Sequence, residues 1–173
     1  ILIFVDGYLF SLNLWYIKES TPLSFEKYLL LFSSELELVI KHICKMKKLI
    51  IDAAKDKIFF MIINNDINYN ISHENTKINF EKMITLINEF LNSKNLKIDD
   101  ISKIYINRGP GSFAGIRNSL STIKAIHLVK KIDYYCYSLD DFSSVKKFKY
   151  ENIPNLCDKF KIKKNLINPI YIS

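Results

Sequence analysis

The chain has 173 residues, of which 49% are hydrophobic and 13% aromatic, a composition that excludes an intrinsically disordered protein and predicts one domain with a real core. The formal net charge of +7 and the pI near 9.2 allow a polyanionic partner. The lysines are nevertheless scattered through a sequence rich in Ile, Asn and Lys, which favours compositional drift over a nucleic-acid-binding stripe.

The cysteines and the apolar runs restrict the cellular setting. Cys44, Cys136 and Cys157 are odd in number and widely spaced, which excludes a disulfide framework and a paired-cysteine zinc site. No apolar run reaches the roughly 18 residues of a membrane span, and the opening run is interrupted by Asp6 and Gly7. We therefore expect a soluble, cytoplasmic protein without membrane contact.

Residues 1–45 are predicted to be an N-terminal extension that contains one amphipathic helix. Apolar side chains recur near helical spacing over residues 23–43. The chain starts at Ile1, whereas Met46 is followed by a run that resembles the natural beginning of a domain. Three interpretations of the extension are open: a native segment, a remnant, and sequence from an upstream reading frame. A native segment would cover apolar surface.

From Met46 onward, hydrophobic periodicity predicts the element order βββαβαβα. Three β-rich runs form a meander, and helices and strands then alternate. The predicted elements are strands 47–54, 57–63 and 66–72, helix 79–95, strand 103–107, helix 113–130, strand 133–138 and a final short helix capped by Ser138 and Asp141. This order is the half-domain plan of the actin-like and ribonuclease H-like folds, an α/β architecture with a mixed five-stranded sheet. The domain would span residues 46–148, followed by a C-terminal tail over 149–173.

Three of the four glycines lie in one stretch, NRGPGSFAGIRNSL, between a predicted strand and a predicted helix. Glycine tolerates positive φ or close backbone approach, and proline fixes one dihedral, so the stretch forms a preshaped elbow. Ser112 is placed to cap the helix. A tight turn is favoured over a phosphate cradle, because no Walker lysine-serine pair follows. The elbow residues are Gly109, Pro110, Gly111, Ser112, Phe113, Gly115 and Arg117.

Both long predicted helices carry features of a docking surface. The apolar stripe of helix 79–95 is wider than one sheet face requires, which suggests a second contact surface. Small residues recur on one side of helix 113–130 and allow another backbone to approach closely. These small residues are Gly115, Ser119 and Thr122.

The string GPGSFAGIR resembles the GPGSFTGLR signature of the bacterial TsaB proteins (YeaZ, of the Gcp-like family). LIIDAAKDKIFFMI is similar to the opening strand of that family, and NPIYIS is similar to its terminal P-x-Y-x-R motif. The resemblance covers residues 47–148 and the last few residues. It implies an actin-like half of a non-catalytic scaffold in tRNA threonylcarbamoyladenosine biosynthesis.

By this resemblance, the chain would activate a TsaD-like catalytic subunit by heterodimerisation and work with a TsaE-like ATPase. It would meet tRNA indirectly through that complex, need no cofactor unless a nucleotide binds at the subunit interface, and form a homodimer when the partner is absent. Helices 79–94 and 113–130 would form the interface. The candidate contact residues are Met83, Leu86, Phe90, Gly115, Ser119 and Thr122, with ordinary core packing as the alternative.

The sequence also departs from the family pattern. Ala54 and Ala114 replace hydroxyl residues, Asn79 replaces a common histidine, and Ser173 stands where arginine is usual. We expect a shortened form that lacks most of the second half, with residues 149–173 as its remnant. This expectation weakens any function that requires a two-domain cleft.

Two other classes of function are open. A degenerate actin-like or ribonuclease H-like enzyme, acting as a nuclease or nucleotide hydrolase, would need clustered carboxylates such as Asp52, Glu81 or Glu89, and Asp133. Asp52 alone is either a relic of a phosphate site or a turn residue. The second class is a basic RNA-binding module built on DYYCYS and SVKKFKYEN, although strand alternation would bury half of those tyrosines. The histidines, His42, His73 and His127, lack metal-ligand spacing, so we expect no metal site.

Overall fold

The computed structural model describes residues 2–5, 8–11, 47–64, 67–145 and 147–171, the first two segments by their backbone. The chain divides into two units, residues 1–43 and 44–173. In the first unit, β1 (Leu2–Val5) pairs antiparallel with β2 (Tyr8–Ser11). These strands were not predicted, although an Asp-Gly pair between two apolar runs is a sequence signal for a hairpin. The predicted helix over 23–43 lies outside the described residues.

The second unit is built on a five-stranded mixed sheet, which confirms the predicted α/β architecture. Its strands are β3 (Lys47–Asp52), β4 (Lys57–Asn64), β5 (Ile67–Glu74), β6 (Ile101–Asn107) and β7 (Asp133–Tyr137). They lie in the order β5-β4-β3-β6-β7. The first three form an antiparallel meander, whereas β3, β6 and β7 are parallel. Parallel neighbours need a crossover, and the helices between them provide it.

The helices agree with the prediction in order and differ in detail. They are α1 (Lys77–Glu81), α2 (Met83–Asn92), α3 (Phe113–Lys130) and α4 (Ile153–Lys159). The single helix predicted over 79–95 is interrupted at Lys82 and starts earlier, because the Thr76 hydroxyl oxygen caps it by accepting from the Asn79 N–H at 3.2 Å. α3 has the predicted bounds.

The cap predicted at Ser138 is present, but it stabilises only a single 3₁₀ turn, Asp140–Phe142. The Asp141 carboxylate accepts from the Ser138 N–H at 2.8 Å, and the Ser138 hydroxyl accepts from the Asp140 N–H at 3.2 Å. The helix that follows in this region is α4, which was not predicted. A proline in its first turn is the sequence signal that was overlooked.

Side-chain alternation along the strands produces a core on each face of the sheet. The first face packs against α1, α2 and α3. The second face packs against α4 and the chain around Phe142. Its buried residues are Ile50, Met61, Tyr105, Tyr137, Phe142, Ile153, Leu156 and Cys157. The segment predicted as a tail therefore forms part of the folded unit, because it covers one face of the sheet.

In the part of the chain that the structure describes, no helix is both long and apolar enough to cross a membrane. The exposed positions along α3, the longest of the described helices, include Arg117, Lys124 and Lys130.

Two cysteines are expected to be chemically inert in the folded protein. Burial raises the pKa of both Cys136 and Cys157 to about 12, so the thiolate fraction at pH 8 is about 10⁻⁴. In a Cys44→Ser variant at pH 8, we expect an aromatic disulfide reagent to modify neither thiol within minutes. In denaturing guanidinium, both thiols of the same variant should react at once, because unfolding exposes them to the reagent. Prompt modification without denaturant would contradict this burial.

Candidate functional site at the glycine elbow

The elbow between β6 and α3 is held in direct backbone contact with the rest of the sheet. Gly109 has a φ of 104°, a conformation that other residues rarely adopt. A Cβ atom at Gly111 would overlap the carbonyl oxygen of Ala54, and one at Gly115 would overlap that of Ala53. The start of α3 therefore lies against the connection between β3 and β4, which only glycine permits.

Hydrogen bonds within the chain use three of the N–H groups of this elbow. The Ser112 N–H donates to the Ala54 carbonyl at 2.8 Å, and the Gly109 N–H donates to Asn107 Oδ1 at 2.9 Å. The Ser112 hydroxyl accepts from the Gly115 N–H at 3.3 Å, which is the predicted helix cap. Because these donors are engaged internally, the geometry favours the tight-turn interpretation over a phosphate cradle.

Asp52, at the end of β3, is a buried hydrogen-bond acceptor with 1% of its surface exposed. Its Oδ1 accepts from the Ala54 N–H at 3.1 Å and from Asn107 Nδ2 at 3.0 Å. Its Oδ2 accepts from the Tyr150 hydroxyl at 2.7 Å. Burial, together with the adjacent carboxylate, raises the pKa of Tyr150. The contact with the Ala54 N–H is the turn interaction that the sequence suggested for Asp52, and both carboxylate oxygens serve contacts within the chain.

The C-terminal segment is tied to the elbow through Arg108. The guanidinium donates to both carboxylate oxygens of Asp141, at 2.9 and 3.1 Å, and to the Asn168 carbonyl at 3.1 Å. The Arg108 carbonyl accepts from the Ile170 N–H at 2.8 Å. Sequence reasoning missed Asn107, Arg108 and Tyr150. Of these three, only Arg108 could have been found from the sequence, because it is a charged residue that directly follows a buried strand.

Four of the six predicted partner-contacting residues belong to the core of this chain. Met83, Phe90, Gly115 and Ser119 are buried, while Leu86 and Thr122 are partly buried. This corrects the prediction that they form an exposed docking face. The close approach that Gly115 permits is to the Ala53 carbonyl of the same chain. The stripe of α2 is broad because this helix packs into the first-face core, where Leu86 lies beside buried residues.

The opposite side of α3 is exposed and carries the remaining elbow residues. Phe113 is 57% exposed and contacts the Tyr171 ring in a tilted arrangement, with ring centroids 4.8 Å apart. A groove of about 410 Å³ runs between this side of α3 and the C-terminal segment. Its lining includes Arg117, Leu120, Lys124, Leu128, Ile167 and Tyr171. We call this groove, together with Phe113, the α3 groove.

The residues suggested for catalysis do not converge. Asp52 ends β3 and Asp133 begins the parallel strand β7, so the two carboxylates lie at opposite ends of the parallel strands. Within the described residues, no group of three His, Cys, Asp or Glu side chains could hold a metal. His42 lies outside those residues. The stacking tyrosines are also placed inward, since Tyr134 and Tyr137 are fully buried and only Tyr135 is partly exposed.

Comparison with known proteins agrees with the resemblance in the elbow. A family model described as TsaD, tRNA N6-adenosine threonylcarbamoyltransferase, matches residues 73–138. YeaZ from Pseudomonas aeruginosa is similar in structure, with 13% identity, a TM-score of 0.49 and coverage of 53% of this chain and 43% of that one. No curated protein matches the sequence.

A second solved structure, an uncharacterized protein with similarity to peptidase YeaZ from Pseudomonas aeruginosa, has the same identity and coverage and a TM-score of 0.50. The chain thus spans less than half the length of the two solved structures. The resemblance is confirmed on these terms: the chain has the actin-like, ribonuclease H-like fold of a YeaZ-like protein and, over residues 73–138, is similar to the TsaD family.

Proposed function

We propose that this chain is a non-catalytic partner subunit in the modification of tRNA with threonylcarbamoyladenosine. It would activate a TsaD-like catalytic subunit by forming a heterodimer with it, and a TsaE-like ATPase and tRNA would join through that complex. The observation that carries the proposal is the family match over residues 73–138, which includes the whole elbow and all of α3.

The α3 groove is the surface that best suits such a partner. Leu128 of α3 is 58% exposed, and Tyr171 of the C-terminal segment is 43% exposed. The groove therefore presents apolar surface to solvent, although the other side of α3 is already packed. Arg117 and Lys124 are exposed beside these apolar side chains. A helix that presents apolar residues flanked by carboxylates would complement both features.

The state of Asp52 supports a role without catalysis. In an actin-type ATPase, a carboxylate at this position would have to face a phosphate or its metal ion. In this chain, three donors already surround it, and the Tyr150 ring packs against Phe59 at a tilt, with ring centroids 4.4 Å apart. Any nucleotide would therefore have to bind elsewhere, at the interface with the partner.

Partner capture tests the proposal. The tagged full chain would be co-expressed with the TsaD-like protein of the same organism, and the recovered complex would be quantified. We expect Lys124→Glu combined with Leu128→Asp to reduce recovery at least about tenfold, since one central apolar anchor and one complementary charge are lost.

A control places the same two kinds of change at exposed positions away from α3, one at each end of the β4–β5 pair. Lys57→Glu combined with Ile67→Asp, on β4 and β5, should leave recovery within about twofold of wild type. If the α3 variant recovers as much complex as wild type does, the α3 groove is not the surface that binds the partner. If the wild-type chain forms only homodimers beside the TsaD-like protein, the proposed function itself is overturned.

A further inference from the structure

We propose that a lysine-rich surface on the second face of the sheet binds the phosphate backbone of RNA directly. We call it the lysine surface. It comprises Lys48, Lys103, Lys159, Lys161, Lys163 and Lys164. The inference does not depend on the proposed partner role, because it concerns a face away from α3.

Two lysines of this surface lie directly opposite each other on neighbouring strands. Lys48 of β3 pairs with Lys103 of β6, and the next residues on the same face, Ile50 and Tyr105, belong to the second-face core. Both lysines are half-buried, and neither forms an ion pair within the described part of the chain. Like charges in this position repel each other, so an anion between them would stabilise the sheet.

The C-terminal segment adds further lysines beside this pair. The backbone of Lys164 forms an isolated antiparallel bridge with Tyr135 of β7. The Lys103 ammonium lies 5.7 Å from the centroid of the Tyr135 ring. Phe160 and Ile162 pack against the second-face core. Lys159, Lys161 and Lys163, which alternate with them, are exposed. The alternation directs apolar side chains inward and ammonium groups outward.

The carboxylates near this surface neutralise only part of its charge. Asp133 accepts from Asn165 Nδ2 at 2.6 Å and from Lys164 Nζ at 3.2 Å, and these contacts lower its pKa. Asp158 is the other acidic residue close by in sequence. These two carboxylates offset only part of the charge of the six lysines, and exposed ammonium groups along one segment suit successive phosphates.

The exposed apolar side chains favour RNA over a membrane surface. Within the described residues, none of the large exposed hydrophobic side chains belongs to the 159–164 segment or to β3, β4, β6 or β7, and Leu166 alone follows that segment closely in sequence. A surface that inserts into lipid would need such side chains beside its lysines. Phosphate contact without base readout is the mode that lysines alone support.

Fluorescence anisotropy of the full chain with labelled single-stranded oligouridine, at several salt concentrations, tests the inference. Lys159→Gln, Lys161→Gln and Lys163→Gln together should weaken binding about tenfold or more at low salt. Their loss should also flatten the slope of log K against log salt by about 2, given a slope of roughly 0.7 for each phosphate contact on a single strand.

The matched control removes three lysines from the helical side, by Lys82→Gln, Lys94→Gln and Lys97→Gln, and should bind RNA nearly as wild type does. Equal affinity and equal slopes for the two triple variants would overturn the inference. So would binding to polyglutamate or to anionic phosphatidylserine vesicles as tight as binding to RNA. Partner capture by the lysine-surface variant should remain intact, which separates failure of this inference from failure of the partner role.

Discussion

A full-length chain carrying Gly115→Ala is expected to lose about 3 kcal/mol of unfolding free energy. The added methyl group would overlap the Ala53 carbonyl and come within 3.1 Å of the Phe80 ring. Neither the strand end nor the helix axis can yield without separating α3 from the core. This loss would exceed the gain of about 1 kcal/mol in helix propensity that glycine-to-alanine replacement normally brings. Urea denaturation followed by circular dichroism measures the effect.

The control for this prediction is a change on the exposed side of the same helix. Lys124→Ala should alter the unfolding free energy by less than about 0.5 kcal/mol. Against a total stability of about 5–15 kcal/mol for a domain of this size, the Gly115 effect would be plain in the denaturation midpoint. A midpoint for Gly115→Ala equal to that of wild type would show that α3 does not touch the β3–β4 connection.

Replacing Asp52 is expected to have a comparable effect for an electrostatic reason. Asp52→Ala would leave Asn107 Nδ2 and the Tyr150 hydroxyl without their acceptor in a buried place. The unfolding free energy should fall by about 3 kcal/mol, since hydrogen bonds to a charged group are lost and buried donors remain unpaired. The same denaturation measurement applies.

Two companion variants make the Asp52 result specific. Asp56→Ala removes an exposed carboxylate four residues away and should change stability by less than about 0.5 kcal/mol. Tyr150→Phe removes only one donor and should cost about 1–2 kcal/mol. Equal stability of Asp52→Ala and Asp56→Ala would mean that the carboxylate is not the acceptor shared by Ala54, Asn107 and Tyr150.

The local parts of the fold could be predicted because their signals lie close together in the chain. The run from Lys47 to Asp52 alternates between the two faces of the sheet, and the periodicity of residues 113–130 matches the helix that forms there. Ser112 as a cap and the glycines as a turn follow from the same kind of local rule. The break at Lys82 is a local event as well, but an interruption of one residue leaves the apolar stripe unchanged.

The candidate site was harder to predict because apolar spacing indicates a buried face without indicating what buries it. Met83 and Ser119 fit a docking helix and a core helix equally well. Their place was decided by α2 and α3 packing on the same sheet. The exposed groove depends on Leu128 and Tyr171, which are far apart in sequence and meet only because the C-terminal segment returns to α3.

By itself, the sequence determined the order of the elements from β3 to β7, the five-stranded sheet and the need for glycine at the elbow, since each follows from periodicity or backbone freedom within a few residues. Only the tertiary structure decided that Asp52 is enclosed by Asn107 and Tyr150, and that the chain after residue 148 completes the second core. The tertiary structure also decided which side of α3 is exposed, namely the side that lines the α3 groove. These outcomes depend on hydrogen bonds and burial between residues up to 98 positions apart, for which no local pattern in the chain provides a signal.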